Sequence, residues 1–491
     1  CVECEKCGES FKVDNLVGDI PEGIGKKTLA ELGELIKEKG IKCIDCGGKL
    51  SEPYAFNLMF KTQIGKNKIG FLRPETAQGI FLNFRALYRY FREKLPFGVV
   101  QLGKGYRNEV SPRQGLLRLR EFNMAEAEIF VTPNGKAHHP KFGLVANDNL
   151  VLLPDSSTTL TITVEDAVKK GIINNTWLAY HIALSARFLV DIGIEKSKLR
   201  FRKHAKHEMA HYATECWDCE VETSLGWLEV VGVADRGSYD LQAHMNYSKV
   251  ELTALEPYDV PKTVEKEVVK IKMDTIEGKW KKEMGLIKNL IQANNDEIVD
   301  YAKKNSFIIL NIHDDKLRVG EYPEGTNIRL EKENFEIAVE KSTVAGVHVI
   351  PHVIEPSYGI DRILYAIMEH SFTKERRNGE EYIILKFKPR IAPIKIGVFP
   401  LMPKDELIMK AREIDRMLRN ERIITYYDEI GSIGRRYARM DEIGTPYCVT
   451  VDYDTIKDEC VTIRDRDTTS QERVEIDELI EKIKNLMEKK K

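Results

Sequence analysis

No stretch of this 491-residue chain holds the roughly 20 successive apolar residues that a membrane-spanning helix needs. Nor do its first residues run from basic to apolar, as a secretory leader does; Glu and Cys dominate them. Both absences point to the cytoplasm. There is little excess charge. A net charge of −2 excludes a general polycation, although phosphate recognition needs only local Lys and Arg. Cysteine is scarce after residue 50, because five of the nine lie before it. In a cytosolic chain that crowding points to thiols or a metal rather than disulfides. Internal repeats are absent, and the Lys-rich end is the only biased segment.

What is present is an ordinary globular balance, 42% apolar and 31% charged, over a length that suits about three domains. Residues 1–50 are rich in Cys and Gly. Leu29, Leu32, Leu35 and Ile36 predict an amphipathic helix within Lys27–Lys39. Residues 132–175 open as a loop at Thr132–Gly135, and 176–193 read as a helix. From 250 to 345 Lys and Glu become frequent, with an exposed helix expected near Lys279–Lys304. This reads as an insertion, a solvated module on a larger domain. Core-like sequence returns at Gly346–Met368. From Ile391, strand-like runs (Lys395–Phe399, Tyr447–Val451, Cys460–Arg464) alternate with helical ones (Asp405–Asn420, Ile476–Met487), an α/β unit.

The most informative stretch is Tyr106–Glu126. Pro112 and Gly115 mark a turn, and the flanks alternate as strands. Two strands there would put Arg107 and Glu109 on one face. They would also align Arg118, Arg120 and Phe122, with Met124 and Glu126 continuing that row. Arginine forks suit phosphate oxygens, and a flat ring suits a purine. An exposed hairpin with cross-strand ion pairs would carry similar residues.

Arg107-x-Glu109, a loop, then Arg118-x-x-x-Phe122 resembles motif 2 of the class II aminoacyl-tRNA synthetases. Glu355–Arg362 resembles motif 3, with Asp361 where most relatives have Gly. The resemblance implies an α+β catalytic core, an antiparallel sheet flanked by helices and carrying insertions. It makes 51–385 the catalytic domain, with insertions near 132–175 and 250–345. Residues 390–491 then resemble the α/β anticodon-binding domain of class IIa enzymes. ATP contacts are implied for Arg107, Asn108, Glu109, Arg118, Leu119, Phe122, Glu229, Val230 and Arg362. The three arginines become the catalytic charges, and Glu229 approaches Mg2+ carried with ATP.

Arg73-Pro74-Glu75-Thr76, followed by Ala77-Gln78-Gly79, best resembles the archaeal and eukaryotic glycyl enzymes of the class. So do Phe56–Phe60, His207–Ala213 and Gly226–Arg236. Glycine binding is implied for Glu75, Glu126, Glu355, Pro356 and Ser357. Converging carboxylates repel and raise one another's pKa unless a cation neutralises them. An amino acid's α-ammonium is such a cation, and acids packed around the α-carbon leave no room for a side chain. A site for glycine can discriminate only by excluding larger substrates. A structural ion pair between Glu229 and Arg236 is the plainer reading of Glu229. The pair His207 and His211 reads as one helix face near the site.

The resemblance makes tRNA(Gly) the second partner, with Arg113, Arg435, Arg436 and Arg439 as candidate contacts. Homodimerisation is likewise a family expectation, because motif 1 lies upstream of the region matching Cys1. Cys4-x-x-Cys7 and Cys43-x-x-Cys46 suit tetrahedral zinc, with free thiols as the alternative. Cys216 and Cys219 read as core. Two rival functions stay open: a synthetase-like nucleic-acid-binding protein without catalysis, and a class II enzyme for proline or threonine. The retained ATP residues oppose the first, and Glu75, Glu126 and Ser357 the second.

Overall fold

The computed structural model describes residues 1–13, 16, 28–110, 115–154, 158–205, 208–209, 211–272, 275, 288, 291, 294–313, 316–377 and 379–489. Two compact units emerge, Cys1–Leu252 with Ile350–Lys491, and Thr253–Val349.

The first unit opens with the two Cys-x-x-Cys turns on either side of helix α1 (Leu29–Glu38). Thr28 caps α1 reciprocally with Glu31, which satisfies backbone donors at its start. A short helix, α2 (Ala77–Leu82), precedes strands β1 (Phe97–Tyr106) and β2 (Glu121–Val131). Then come β3 (Asn149–Leu153), β4 (Leu160–Thr163), α3 (Thr176–Asp191), β5 (Leu199–Lys203), β6 (Glu215–Thr223) and β7 (Gly226–Gly237). After residue 350 the unit resumes with β8 (His352–Gly359) and α4 (Ile360–Ser371).

These strands make one eight-stranded sheet in the order β1-β2-β8-β7-β6-β5-β3-β4. Every pair is antiparallel except β3 with β5. The predicted helix over 176–193 is α3. Its Leu178, Ile182 and Leu189 pack with Trp217, Val231 and Val233, so one sheet face is apolar and covered. Residues 132–175, expected as an insertion, supply β3 and β4 and so extend the sheet to its far edge.

The hairpin departs from expectation. Its ladder runs only from Tyr106 opposite Glu121 toward Phe97 opposite Phe130. Gly115–Leu117 form a 3-10 turn, so Arg118 and Arg120 precede the strand instead of alternating along it. The backbone amides explain this: Arg107 N donates to Arg120 O, but Asn108 N turns away to Leu58 O (2.7 Å).

The C-terminal part of this unit holds β9 (Ile396–Pro400), α5 (Asp405–Asn420), β10 (Thr425–Tyr427), α6 (Ile433–Glu442), β11 (Tyr447–Val451), β12 (Cys460–Asp465) and β13 (Gln471–Glu475). The sheet order is β10-β9-β11-β12-β13, with the first two pairings parallel. Leu407, Ile414 and Leu418 of α5 share a core with Val398 and Val449.

The second unit corresponds to the Lys- and Glu-rich segment. Ala254–Ile271 and Phe335–Val349 pair as a long ribbon, and Asn295–Asn305 is helical. Ile298, Ile308, Leu310 and Ile328 form its core. Half of the helix expected near Lys279–Lys304 lies outside the described residues. Among the described residues, no helix is long and apolar enough to cross a membrane.

Candidate active site

The sheet face opposite α3 carries a cavity of about 320 Å³. Alternation explains which side chains reach it. On β8, Glu355, Ser357 and Gly359 line it, while Tyr358 points the other way and its hydroxyl meets Ser185 Oγ of α3 (3.0 Å). On β2, Phe122, Met124 and Glu126 line it. On β7 a bulge opposite Cys219 and Glu220 leaves Val230 out of register, so Glu229 and Val230 both border the cavity. The twelve predicted residues Glu75, Arg107, Glu109, Arg118, Leu119, Phe122, Glu126, Glu229, Val230, Glu355, Ser357 and Arg362 are therefore brought together.

One end is acidic. Glu126 Oε2 accepts from Thr76 N (2.6 Å), Thr76 Oγ1 (2.5 Å) and Ala77 N (2.9 Å), and its Oε1 from Ser357 Oγ (3.0 Å). Charge-assisted bonds of this kind hold the carboxylate at the foot of α2. Beside it Arg236, 1% exposed, donates to Glu355 (2.7 Å), to both oxygens of Asp240 (2.8 and 2.9 Å) and to Glu75 (3.4 Å). The Tyr212 ring lies 4.0 Å from its guanidinium carbon. This corrects the charge argument. The cation that neutralises Glu75 and Glu355 in the folded chain is Arg236, and any ammonium adds to an arrangement already partly balanced. Burial opposes the Arg236 charge, but Glu355, Asp240 and Glu75 hold it firmly protonated.

Burial pushes Glu355 up to about 7, against the pull of Arg236. Glu128, two residues along β2 from Glu126, is fully buried with both oxygens unpartnered, and burial first, then Glu355, raises its pKa well above the usual carboxylate range. The period-2 spacing from Glu126 was the signal in the sequence for Glu128, and the i,i+4 spacing from Arg236 was the signal for Asp240.

The other end is cationic and aromatic. Arg107 lies over the Phe122 ring (5.3 Å) and donates to Pro74 O (3.3 Å). A Cβ at Gly105 would stand 2.8 Å from that ring, so only glycine lets Phe122 lie across β1. Arg118 pairs with Glu109 at 3.7 Å. Arg362 donates to Leu117 O (3.1 Å) and to Glu229, backbone O at 2.9 Å and Oε2 at 3.2 Å. Glu229 therefore pairs with Arg362, not with Arg236. Asp361 accepts from the Asn123 amide (2.6 Å) and its side chain (3.0 Å), tying α4 to β2.

Other predicted residues lie elsewhere. Pro356 faces away from the cavity, and Asn108 is turned toward Asn57 and Leu58. Arg120, expected in the row, is exposed and donates to Glu109 O. Arg113 and His207 lie outside the described residues, and His211 sits in a turn, its ring against Tyr212 and Tyr239. Arg435 is exposed on α6. Arg436 is buried and donates to the carbonyls of Pro400 (2.5 Å), Leu401 and Asp428, so it is withdrawn from any RNA. Arg439 pairs with Asp428. Sequence reasoning missed His204 and Asp218, which meet at 2.7 Å in a wall shared with Glu208 and Tyr212; Cys216, expected in the core, also borders the cavity, while Cys219 is buried.

The four N-terminal cysteines converge. The Cys4 and Cys46 sulfurs are 3.5 Å apart, those of Cys7 and Cys43 3.7 Å, and all four lie within 4.8 Å of one another. A tetrahedral site with bonds of about 2.3 Å has sulfur edges of about 3.8 Å. A Cβ at Gly48 would stand 2.9 Å from the Cys4 sulfur, so glycine keeps the centre open.

Residues 60–146 match the family profile described as tRNA synthetase class II core domain (G, H, P, S and T), and 390–486 match the anticodon binding domain. The largely antiparallel sheet with its arginine-lined cavity is thus a class II aminoacyl-tRNA synthetase core. The chain is 46% identical to the glycine–tRNA ligase of Methanocaldococcus jannaschii, over 98% of this chain and 84% of that protein. It is also 46% identical to those of Archaeoglobus fulgidus (100% and 83%) and Thermococcus kodakarensis (99% and 84%). It belongs to the glycine–tRNA ligase family.

Proposed function

We propose that this cavity joins glycine to ATP and then transfers the glycyl group to the 3′ end of tRNA(Gly). The observation that carries the reading is the pairing of an arginine and phenylalanine end with an acidic end inside one pocket. ATP lies toward Phe122, with adenine against the ring, Glu109 near its amine, and Arg107, Arg118 and Arg362 along the phosphates. Leu119 and Val230 are walls, and Asn108 acts through the backbone. Glycine lies toward Glu126, Ser357, Glu75 and Glu355, its ammonium replacing solvent there; Pro356 supports the strand from behind.

A glycine carboxylate oxygen attacks the α-phosphorus, the bond to pyrophosphate breaks, and glycyl-adenylate forms. No side chain acts as nucleophile. The arginines neutralise charge that develops on the phosphates, and the fixed geometry replaces a bimolecular encounter. Glu229, half-exposed at the rim, suits Mg2+ travelling with ATP. Mg2+ supplies charge neutralisation on the phosphate oxygens.

Residues 51–385 are the catalytic domain and 390–491 bind the anticodon arm. Exposed Arg435, and Arg439 beside it, serve as phosphate contacts, as does Arg113 near the acceptor end. The enzyme works in the cytoplasm as a homodimer. The cysteine cluster holds one structural Zn2+. Amino-acid-dependent ATP–pyrophosphate exchange tests the reaction. Glycine alone among glycine, alanine, serine and proline supports exchange, and exchange with another of these in its place overturns the substrate.

A further inference from the structure

We infer that the cysteine cluster is the anchor of the nucleotide-binding turn, acting through the extended segment Leu50–Leu58. The inference rests on the reading of the four cysteines as a zinc site.

The connection can be followed bond by bond. Leaving Cys46, the chain runs back along the first cysteine turn. Glu5 N donates to Lys49 O (2.9 Å), and Cys4 bridges to Leu50. Ser51 N donates to Glu3 O (2.8 Å), while Glu3 N donates to Ser51 Oγ (2.9 Å). Tyr54 N donates to Cys1 O (2.8 Å), and the Cys1 amine returns to Tyr54 O (2.9 Å). Residues 49–54 are therefore clipped to residues 1–5, the strip that carries Cys4. Four residues after Tyr54, the Leu58 carbonyl accepts from Asn108 N (2.7 Å), and Asn57 O accepts from Asn108 Nδ2 (3.4 Å). Asn57 in turn closes its own turn by accepting from Met59 N (2.9 Å).

Asn108 lies between Arg107 and Glu109, and both neighbours line the cavity. It occurs where the chain has left the β1–β2 ladder, so its amide has no strand partner within that hairpin. The bond to Leu58 is what turns the backbone there, and its direction sets where Arg107 and Glu109 point. Asn108 is thus a positioning residue: it acts through its neighbours and not on ATP.

A cluster of four sulfurs without a metal has only weak S–H contacts to hold it, whereas four metal–thiolate bonds make the two cysteine turns one rigid body. Metal loss leaves the backbone bonds and apolar packing alone to hold residues 1–5 against 43–54, and the Leu58 carbonyl is held less firmly. The acidic end is insulated from this. Glu126, Ser357, Glu355 and Arg236 are held by β2, β7, β8 and α2, and none of their hydrogen bonds reaches residues 49–58.

The test uses the full-length enzyme. Its metal content is measured by elemental analysis. Hydrogen–deuterium exchange over the peptide containing 104–110 and the KM for ATP and for glycine in pyrophosphate exchange are then compared before and after removing zinc with a chelator. The expected result is one zinc per chain, faster amide exchange at 107–109 after its removal, and a KM for ATP raised about fivefold, the ratio that one lost hydrogen bond represents. The KM for glycine moves much less. Absence of bound metal overturns the zinc reading and this inference with it. Zinc present but unchanged exchange at 107–109 after removal overturns the anchoring alone. Asn108→Pro, which deletes the N–H that meets the Leu58 carbonyl, covers the case in which chelation unfolds the chain. It keeps the zinc, quickens exchange at 107 and 109 and raises the KM for ATP; a variant identical to the parent in both respects refutes the anchor.

Discussion

Replacing Arg236 with Met removes the charge on which the acidic end of the cavity depends. Its guanidinium makes close contacts with three carboxylates, at 2.7 Å to Glu355, 2.8 and 2.9 Å to Asp240 and 3.4 Å to Glu75. Deleting one partner of a buried ion pair costs about 3–5 kcal/mol, because the other charge is left uncompensated. At pH 8, Arg236→Met is therefore expected to lose about 4 kcal/mol. The loss must depend on pH. Glu355 already titrates at about 7 with Arg236 beside it, and without that neighbour its pKa rises further. An acid whose folded pKa is raised stabilises the fold at low pH and loses that contribution as pH rises through the folded value. Protonation at pH 6 thus relieves the variant by about 1–2 kcal/mol, within the limit of about 1.4 kcal/mol per proton per pH unit. Urea unfolding followed by tryptophan fluorescence measures this where it matters. Trp177, Trp217 and Trp227 lie on α3, β6 and β7, and no tryptophan follows residue 280. A loss below about 1 kcal/mol, or an equal loss at pH 6 and pH 8, would refute the assignment of Arg236 as the resident counter-ion.

Four further outcomes are expected. Glu126→Gln replaces an oxygen that accepts three bonds with an amide that satisfies them poorly; unfolding should be easier by about 2 kcal/mol and the KM for glycine at least tenfold higher in pyrophosphate exchange. Arg107→Ala should lower kcat/KM for exchange by about 10²–10³, and Arg107→Lys should recover little, since a point charge does not replace a fork over Phe122. Because Glu128 is raised well above the ordinary carboxylate range by burial, the parent enzyme should lose stability as pH rises from 6 to 9, and Glu128→Gln should flatten that decline in a series of melting curves. The glycine KM carries a related sign: Glu355 must ionise to meet an ammonium, so KM falls as pH rises through about 7, and Glu355→Gln abolishes the slope.

Much of the site could be read directly. Motif-sized patterns name side chains, and the strand period places those on regular strands, so Phe122 was assigned to a common face with Glu126, as β2 has it. The same period failed for Arg118 and Arg120, because the ladder ends at Tyr106 and Glu121 and alternation has no meaning past it. Glu229, expected at the site, reaches the cavity through a bulge that residue identities do not announce.

The amino-acid sequence by itself determined the elements, the order of the motifs, the separation of a Lys- and Glu-rich module and the pairing of two cysteine turns across α1. These depend on local periodicity and on residue chemistry, which act over a few positions. Tertiary structure alone decided which charges meet. Arg236 lies 119 residues from Glu355 and 161 from Glu75, and only the pairing of β7 with β8 and the packing of α2 make it their counter-ion. It likewise withdrew Arg436 into the interior and turned Asn108 toward Leu58. Coulomb energy and desolvation depend on distance in space and on burial, and neither is written in the spacing along the chain.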